Sequence, residues 1–302
     1  MMHSLIDVCG KQIQVQGRLI RVGRLDADKY LFLDDPEAML DALRESVTRI
    51  DLFTFIQRLP ETQPRYPYPM RWDNFAALTV STFEHWWTHQ IRSFPRNRAR
   101  QAEKKGVIIK EVPFGHALVR GIWEVYNETP IRQGKPFTHY GEDFETVYRA
   151  EATYLDYSIF IGAFLGDQMI GFVKLVHDQS RTQANLMNIV SMVRHSDKAP
   201  TNALIAQAVR SCAERGIKYL VYQNFSYGDK RSDGLSHFKE VNGFQRINVP
   251  RYYIPLTCIG ALALRLGLHR RLADRVPEPI VAKVREFRRA WYNRRLQSAT
   301  QG

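Results

Sequence analysis

Cysteine is scarce in this 302-residue chain, and long apolar runs are scarcer. Cys9, Cys212 and Cys258 are odd in number, far apart and form no Cys-x-x-Cys pair. They suggest neither a disulfide framework nor a zinc site, and fit a reducing cytoplasm. The opening residues, Met1-Met2-His3-Ser4-Leu5-Ile6-Asp7, lack a basic start followed by an apolar stretch, so no signal peptide is expected. The apolar run Leu256 to Leu264 stops at Arg265. That is about half the ~20 residues of a bilayer-crossing helix, so no span is expected. His177, His195 and His237 are scattered without ligand spacing, and no metal is expected. Internal repeats and low-complexity tracts are absent. Acidic charge falls short as well: 31 Asp and Glu stand against 43 Lys and Arg, a formal net charge of +12. The surplus suits a polyanionic partner such as transfer RNA, a diphosphate-linked sugar or an anionic membrane face, and equally a solvated basic surface.

What is present is globular, with 44% hydrophobic and 25% charged residues. Gln12 to Gln16 alternates as a strand, Gly17 interrupts, and Leu19 to Val22 alternates again. Asp35-Pro36 opens a short helix through Leu43, Asp51 to Leu59 reads as a strand, and Pro60 to Pro69 as a loop. Trp72 to Ile91 is aromatic and ends in a helix carrying Trp86 and Trp87. Then come a basic helix (Arg96 to Lys105), a strand (Val107 to Val112) and two helical spacings (Ala117 to Tyr126 and Glu142 to Tyr154). A hairpin turns at Leu165-Gly166-Asp167-Gln168, and a third strand covers Ala184 to Val193. The next helix, Asn202 to Arg215, carries the stripe Leu204, Ile205, Ala208, Val209 and Cys212, with Thr201 as its cap and Gly216 as its stop. The strand Ile217 to Phe225, a short helix at Leu235 to Val241 and a strand pair over Gln245 to Pro255 complete the order. It is an α/β order, in the α+β mixed-sheet sense, with helices covering the sheet. Three regions are expected: an N-terminal α/β region 1–93, a domain 94–257, and a basic amphipathic helical tail 258–302.

Four segments carry a more specific likeness. RNRARQAEKKGV (Arg96 to Val107), IGAFLGDQMIGFVKLV (Ile161 to Val176), ALIAQAVRSCAERGIKYLVYQNF (Ala203 to Phe225) and LSHFKEVNGF (Leu235 to Phe244) occur in the order found in Fem-family aminoacyltransferases. The chain resembles that family over residues 94–257, and its element order is that of the N-acetyltransferase (GNAT) fold. Fem proteins usually contain two such units, so the resemblance makes the first ninety residues a smaller, degenerate half. It implies an acyltransferase or aminoacyltransferase acting on an amine of a cell-envelope precursor or surface sugar. Its co-substrate would be an acyl-CoA or an aminoacyl-tRNA, with no tightly bound cofactor. The alternatives are a non-catalytic binding module for a nucleotide sugar or RNA, and a membrane-surface interaction protein.

The resemblance gives Lys239 the place of a cation that stabilises the transition state and Phe238 a place lining the reaction site; otherwise Phe238 is core and Lys239 a surface charge. The turn Arg194 to Asn202 leads into a helix N-terminus, where Lys198, Thr201 and Asn202 would face donor phosphates. It lacks the glycines that let a backbone wrap a pyrophosphate, so an ordinary capped helix is an equal reading. The loop Thr129 to Gly141 gathers Arg132, Gln133, His139 and Tyr140. Arg132 would clamp an anion and His139 would deprotonate an acceptor amine, with Gln133 and Tyr140 as binding groups. Tyr222 would protonate a leaving group, with Asn224 and Tyr227 just beyond it; a half-buried sheet tyrosine is the plainer reading. In the tail, Arg265, Arg270, Arg271, Arg275, Lys283 and later arginines follow the apolar run, a pattern for a peripheral contact with the inner membrane face, for a nucleic-acid contact, or for a helix packed on the domain with a solvated basic side.

Overall fold

The computed structural model describes residues 3–26, 30, 32–33, 35–132, 134–225 and 234–268. In chain order its elements are β1 (His3–Val8), β2 (Lys11–Gln16), β3 (Val22–Leu25), α1 (Pro36–Glu45), β4 (Leu52–Ile56), β5 (Met70–Thr79), a short α2 (Phe83–His85) running into a π turn (Trp86–Gln90), and α3 (Ser93–Lys104). There follow β6 (Val107–Glu111), α4 (His116–Tyr126), the small hairpin β7 (Ile131–Arg132) and β8 (Lys135–Pro136), α5 (Phe144–Glu151), β9 (Ser158–Leu165), β10 (Gln168–His177) and β11 (Gln183–Ser191). A 3-10 turn (Val193–Lys198) leads into α6 (Pro200–Glu214), then β12 (Tyr219–Val221), α7 (Gly234–Val241), β13 (Gln245–Pro255) and α8 (Cys258–Arg265). One compact unit takes the chain up to Ala77, returns at Gln223 and again from Gln245; the other takes Leu78–Tyr222 and the residues up to Phe244.

In the first unit the strand order is β1-β2-β3-β4-β13-β5. Every pairing is antiparallel except β3 with β4. Alternation in β2 buries Ile13 and Val15 and turns the glutamines outward. Helix α1 begins where the Asp35 carboxylate accepts the N–H groups of Glu37 (3.1 Å) and Ala38 (3.2 Å), with Pro36 in the first turn. Its Met39, Leu40 and Leu43 join Ile13, Val15, Leu25, Phe53, Phe55 and Tyr252 in one core. At the far end of the chain Thr257 caps α8: its hydroxyl accepts from Gly260 N–H (3.1 Å) and donates to the Asp51 carboxylate (2.7 Å). Gly260 is tight against the backbone, since a Cβ there would lie 1.7 Å from the Asp51 carbonyl oxygen. Burial acts to raise the Asp51 carboxyl, but the Arg21 N–H, the Arg49 guanidinium and the Thr257 hydroxyl outweigh it and hold the group below the usual carboxylate range. Gly267, at φ 65°, ends α8: Leu268 N–H reaches Ala263 carbonyl (2.8 Å) and Gly267 N–H reaches Leu264 carbonyl (3.1 Å).

In the second unit the order is β12-β11-β10-β9-β6, with only β11 and β12 parallel. Strands β9 and β10 are buried along most of their length instead of alternating, because α4 and α6 both pack on the sheet. Gly121 permits the close approach of α4, as a Cβ there would meet Met169 Sδ at 2.8 Å. Lys174 interrupts the apolar run of β10 at a register shift against β11, the kind of irregularity that re-aims a side chain. Its fully buried ammonium donates to the carbonyls of Glu151 (2.8 Å) and Thr153 (2.9 Å) and to the Thr153 hydroxyl (3.2 Å), 3.7 Å from the Glu151 carboxylate. That carboxylate also accepts from Tyr126 and Asn188, both at 3.1 Å. Burial raises Glu151 and lowers Lys174, each shift opposed by the partner's charge.

The mixed α/β class is as the sequence implied, while several boundaries differ. Helix α6 starts at Pro200 with Ala199 as its N-cap at φ 54°, so Thr201 lies inside the first turn and is not the cap. Leu19 is exposed, and β3 begins only at Val22. The expected pair over Gln245 to Pro255 is one strand. Pro250 sits just before the ladder to β4 starts at Arg251. The strand expected over Ile217 to Phe225 is confined to Tyr219–Val221.

Candidate functional site

Three groups of candidate residues lie in the second unit, and contacts join two of them. The first is the turn between β11 and α6. The parallel pairing of β11 with β12 covers Gln183–Asn185 against Tyr219–Val221, and β11 continues beyond it to Ser191. Ser191 Oγ lies 3.0 Å from Thr201 Oγ1, while its carbonyl accepts from Arg132 Nη1 at 2.5 Å. The N–H groups of Val193 (3.0 Å) and Arg194 (2.9 Å) are both taken by the Glu128 carboxylate. Lys198 reaches Asp197 at 3.4 Å, and Asn202 N–H bonds the Ala199 carbonyl at 3.2 Å. The turn is fastened to α3 by Arg98, which donates to the Ser196 carbonyl (2.7 Å), and by the Lys105–Asp197 ion pair (3.1 Å). His195 has both ring nitrogens buried with no hydrogen-bond partner among the described residues. Burial first, and the nearby Lys198 and Arg194 charges next, push its pKa down, favouring the neutral imidazole.

The second group is the loop after α4. Arg132 is braced there: its guanidinium also donates to the Val125 carbonyl (2.8 Å), lies 3.6 Å from Glu128 and sits 4.5 Å over the Phe137 ring. Burial lowers its pKa against the pull of Glu128. Phe137 meets His139 edge-on, and His139 stacks on Tyr126 at 4.5 Å. His139 Nδ1 faces the Glu142 carboxylate at 3.1 Å, an arrangement that holds a proton on Nδ1 and leaves Nε2 as the basic nitrogen. Tyr140 is exposed. Thr201, Ser191, Arg132, Phe137 and His139 thus form one connected path from the helix turn to the loop. Gln133 and Tyr227 lie outside the described residues, as does the tail beyond Leu268.

Lys239 belongs to the third group. The Trp86 indole donates to the Asn242 carbonyl (2.9 Å) and Arg92 N–H to the Val241 carbonyl (2.9 Å), which fixes the end of α7. That turns Lys239 inward: it is only 1% exposed, with its ammonium 4.9 Å over the Tyr222 ring. Tyr222 also meets Phe238 (6.4 Å) and Phe244 (6.0 Å) edge-on. The reading of Lys239 as a solvated surface charge is thereby excluded. Asn224 falls in the first unit and donates to Asp73 at 2.7 Å. Glu128, Glu142 and His195 were not reachable from the pattern. Only the proximity of Glu128 to a strand-to-helix turn in the fold reveals what its carboxylate does.

The mixed α/β fold recurs among solved structures. No protein-family model and no curated protein matches the chain. Among solved structures, it is similar to L-PGS from Bacillus licheniformis (15% identity, TM-score 0.58, covering 89% of this chain and 90% of that one). It is also similar to the C-terminal DUF2156 domain of an Agrobacterium fabrum protein named as a lysylphosphatidylglycerol synthetase (15%, 0.52, 87% of each chain). FemX gives 10% identity and a TM-score of 0.48 over 82% of this chain and 87% of its own. With the first two, at these identities, the fold is what is shared. Among the described residues there is no metal-binding cluster, and no helix is long and apolar enough to cross a membrane.

Proposed function

We propose that the chain is an aminoacyltransferase that takes an aminoacyl group from aminoacyl-tRNA and passes it to an amine of a cell-envelope precursor. The observation that carries the reading is the buried Lys239 ammonium over Tyr222. In a site of low effective dielectric, a fixed cation stabilises the oxyanion formed when a nucleophile attacks an ester carbonyl. Tyr222 then supplies the proton taken by the departing ribose oxygen. His139, oriented by Glu142, removes the proton that the attacking amine must lose. Phe238, Gln133, Tyr140 and Arg132 are the groups from which acceptor contacts would come.

The choice of donor rests on the turn before α6. Two of its amides already hold a carboxylate, Glu128, and the turn has no glycine, so it is ill suited to a coenzyme A pyrophosphate. Lys198, Thr201 and Asn202 meet backbone phosphates of the RNA instead, helped by the +12 net charge. The fold shared with L-PGS, and with a domain named for synthesis of an aminoacylated lipid, supports an aminoacyl cargo.

The test is to titrate the full chain with aminoacyl-tRNA and with acyl-CoA, then follow deacylation of the RNA beside amine-bearing acceptors. RNA binding should weaken steeply with salt, and coenzyme A should not compete. Lys239→Met should lose roughly 100- to 1,000-fold in kcat while still binding RNA. Turnover with acyl-CoA, or a fully active Lys239→Met, defeats the proposal. RNA binding without turnover, unchanged by the substitution, would make the chain a binding module.

A further inference from the structure

We infer that the outer face of α8 is a docking ridge for an anionic phospholipid bilayer. Ile259 (46%), Leu262 (57%), Leu266 (61%) and Leu268 (45%) are all exposed, and the first three follow helical spacing along one side. Their exposure is enforced by the packing beneath. The inner side of α8 carries Gly260 and Ala263, and Gly260 lies so close to the Asp51 carbonyl that no side chain fits between. Rotating the helix to bury the leucines would drive a large residue into that contact. Thr257, bonded to Asp51, and the turn closed by Gly267 fix both ends. The helix therefore presents a held row of leucines to solvent, an arrangement that marks an interaction surface.

Charge selects the partner. Arg265 closes the last turn of α8, and residues 269–302 carry nine Arg or Lys against three acids. Leucines inserted at the headgroup level, with Arg265 beside them and a basic sequence following, are matched by an anionic lipid surface; a neutral apolar protein partner would leave that charge unmet. The surface is independent of the transfer reading, because lipid binding is measured with no donor present.

The experiment is flotation of the full chain with phosphatidylcholine vesicles, with and without phosphatidylglycerol. The parent should float with the anionic vesicles only. Leu262→Gln/Leu266→Gln should lower the bound fraction roughly tenfold or more, with an unchanged melting temperature because both side chains are exposed. Leu5→Gln, an equally exposed leucine on β1, should bind like the parent. No flotation of the parent overturns the inference. So does undiminished flotation of the double variant, which would assign binding to the basic residues alone. A dimer in light scattering that the double variant dissolves, with no vesicle binding, overturns it in favour of a second copy of the chain.

Discussion

Lys174→Met tests how the second unit tolerates its buried charges. The substitution keeps the length of the side chain and removes the ammonium, together with its hydrogen bonds to the Glu151 and Thr153 carbonyls and the Thr153 hydroxyl. Each such bond from a charged donor contributes about 1.5–3 kcal/mol. Removing a desolvated cation returns part of that loss, so the sum is not the answer. The larger effect is on Glu151, buried and left without its counter-charge, and breaking a buried pair this way costs about 3–5 kcal/mol. At roughly 2–4 °C per kcal/mol for a unit of this size, the melting temperature should fall by roughly 6–20 °C near neutral pH. The pH dependence supplies a second readout. Glu151 already sits above the usual carboxylate range, so the unfolded chain releases its proton first, and stability declines as pH rises from about 4. Without Lys174 the folded carboxyl rises further and the declining range extends upward. The variant should therefore regain stability on mild acidification more than the parent does. Thermal melts of parent, Lys174→Met, Glu151→Gln and the double variant, each across pH, read both effects. Equal melting temperatures for parent and Lys174→Met near neutral pH would refute the reasoning, as would strictly additive single substitutions.

Other outcomes follow from the first unit. Asp51→Asn should cost about 1.5–3 kcal/mol near neutral pH, because hydrogen bonds from Arg21, Arg49 and Thr257 lose a charged acceptor. The parent's Asp51 is held below its unfolded value of about 4, so its contribution is complete above that pH and disappears as pH falls through the folded value. Acid melts of the variant should accordingly be flatter over that range, and a parallel curve would count against the assignment. Tyr252→Phe removes a hydroxyl that donates to Gln57 Oε1 (2.8 Å) and accepts from Arg65 N–H (2.8 Å). It should cost about 1–3 kcal/mol in denaturant titration, by stranding buried partners; a loss near zero would show that water replaces the hydroxyl.

Much of the second unit was legible because its signals are local. The stripe on α6, the stop at Gly216 and the Gly166-Asp167 hairpin each specify their own element, and all three are present. The first unit was harder. Strand β1 is announced only by the two-residue Cys9-Gly10 turn, both at positive φ. Strand β5 was missed because Asn74-Phe75-Ala76-Ala77-Leu78 carries no alternation, and its near-continuous burial reflects what packs around it. The site was legible as residue types more than as geometry. Lys239 stood out through the family resemblance and the Arg132–His139 loop by composition, whereas the Glu128 carboxylate in the amide turn is separated from Val193 by β7 to β11. Such a contact exists only after the sheet has formed.

The order β4-β13-β5 has a consequence for synthesis of the chain. The strand that lies between β4 and β5 is made only after residue 244, when nearly all of the second unit has already been translated. A nascent chain consequently carries two unzipped sheet edges and an unfinished Phe53–Tyr252 core for most of its elongation, while the second unit's sheet, from Val107 to Val221, can close without waiting. Early termination or slow translation before Pro255 is therefore most damaging, since it strands the first unit with exposed β edges.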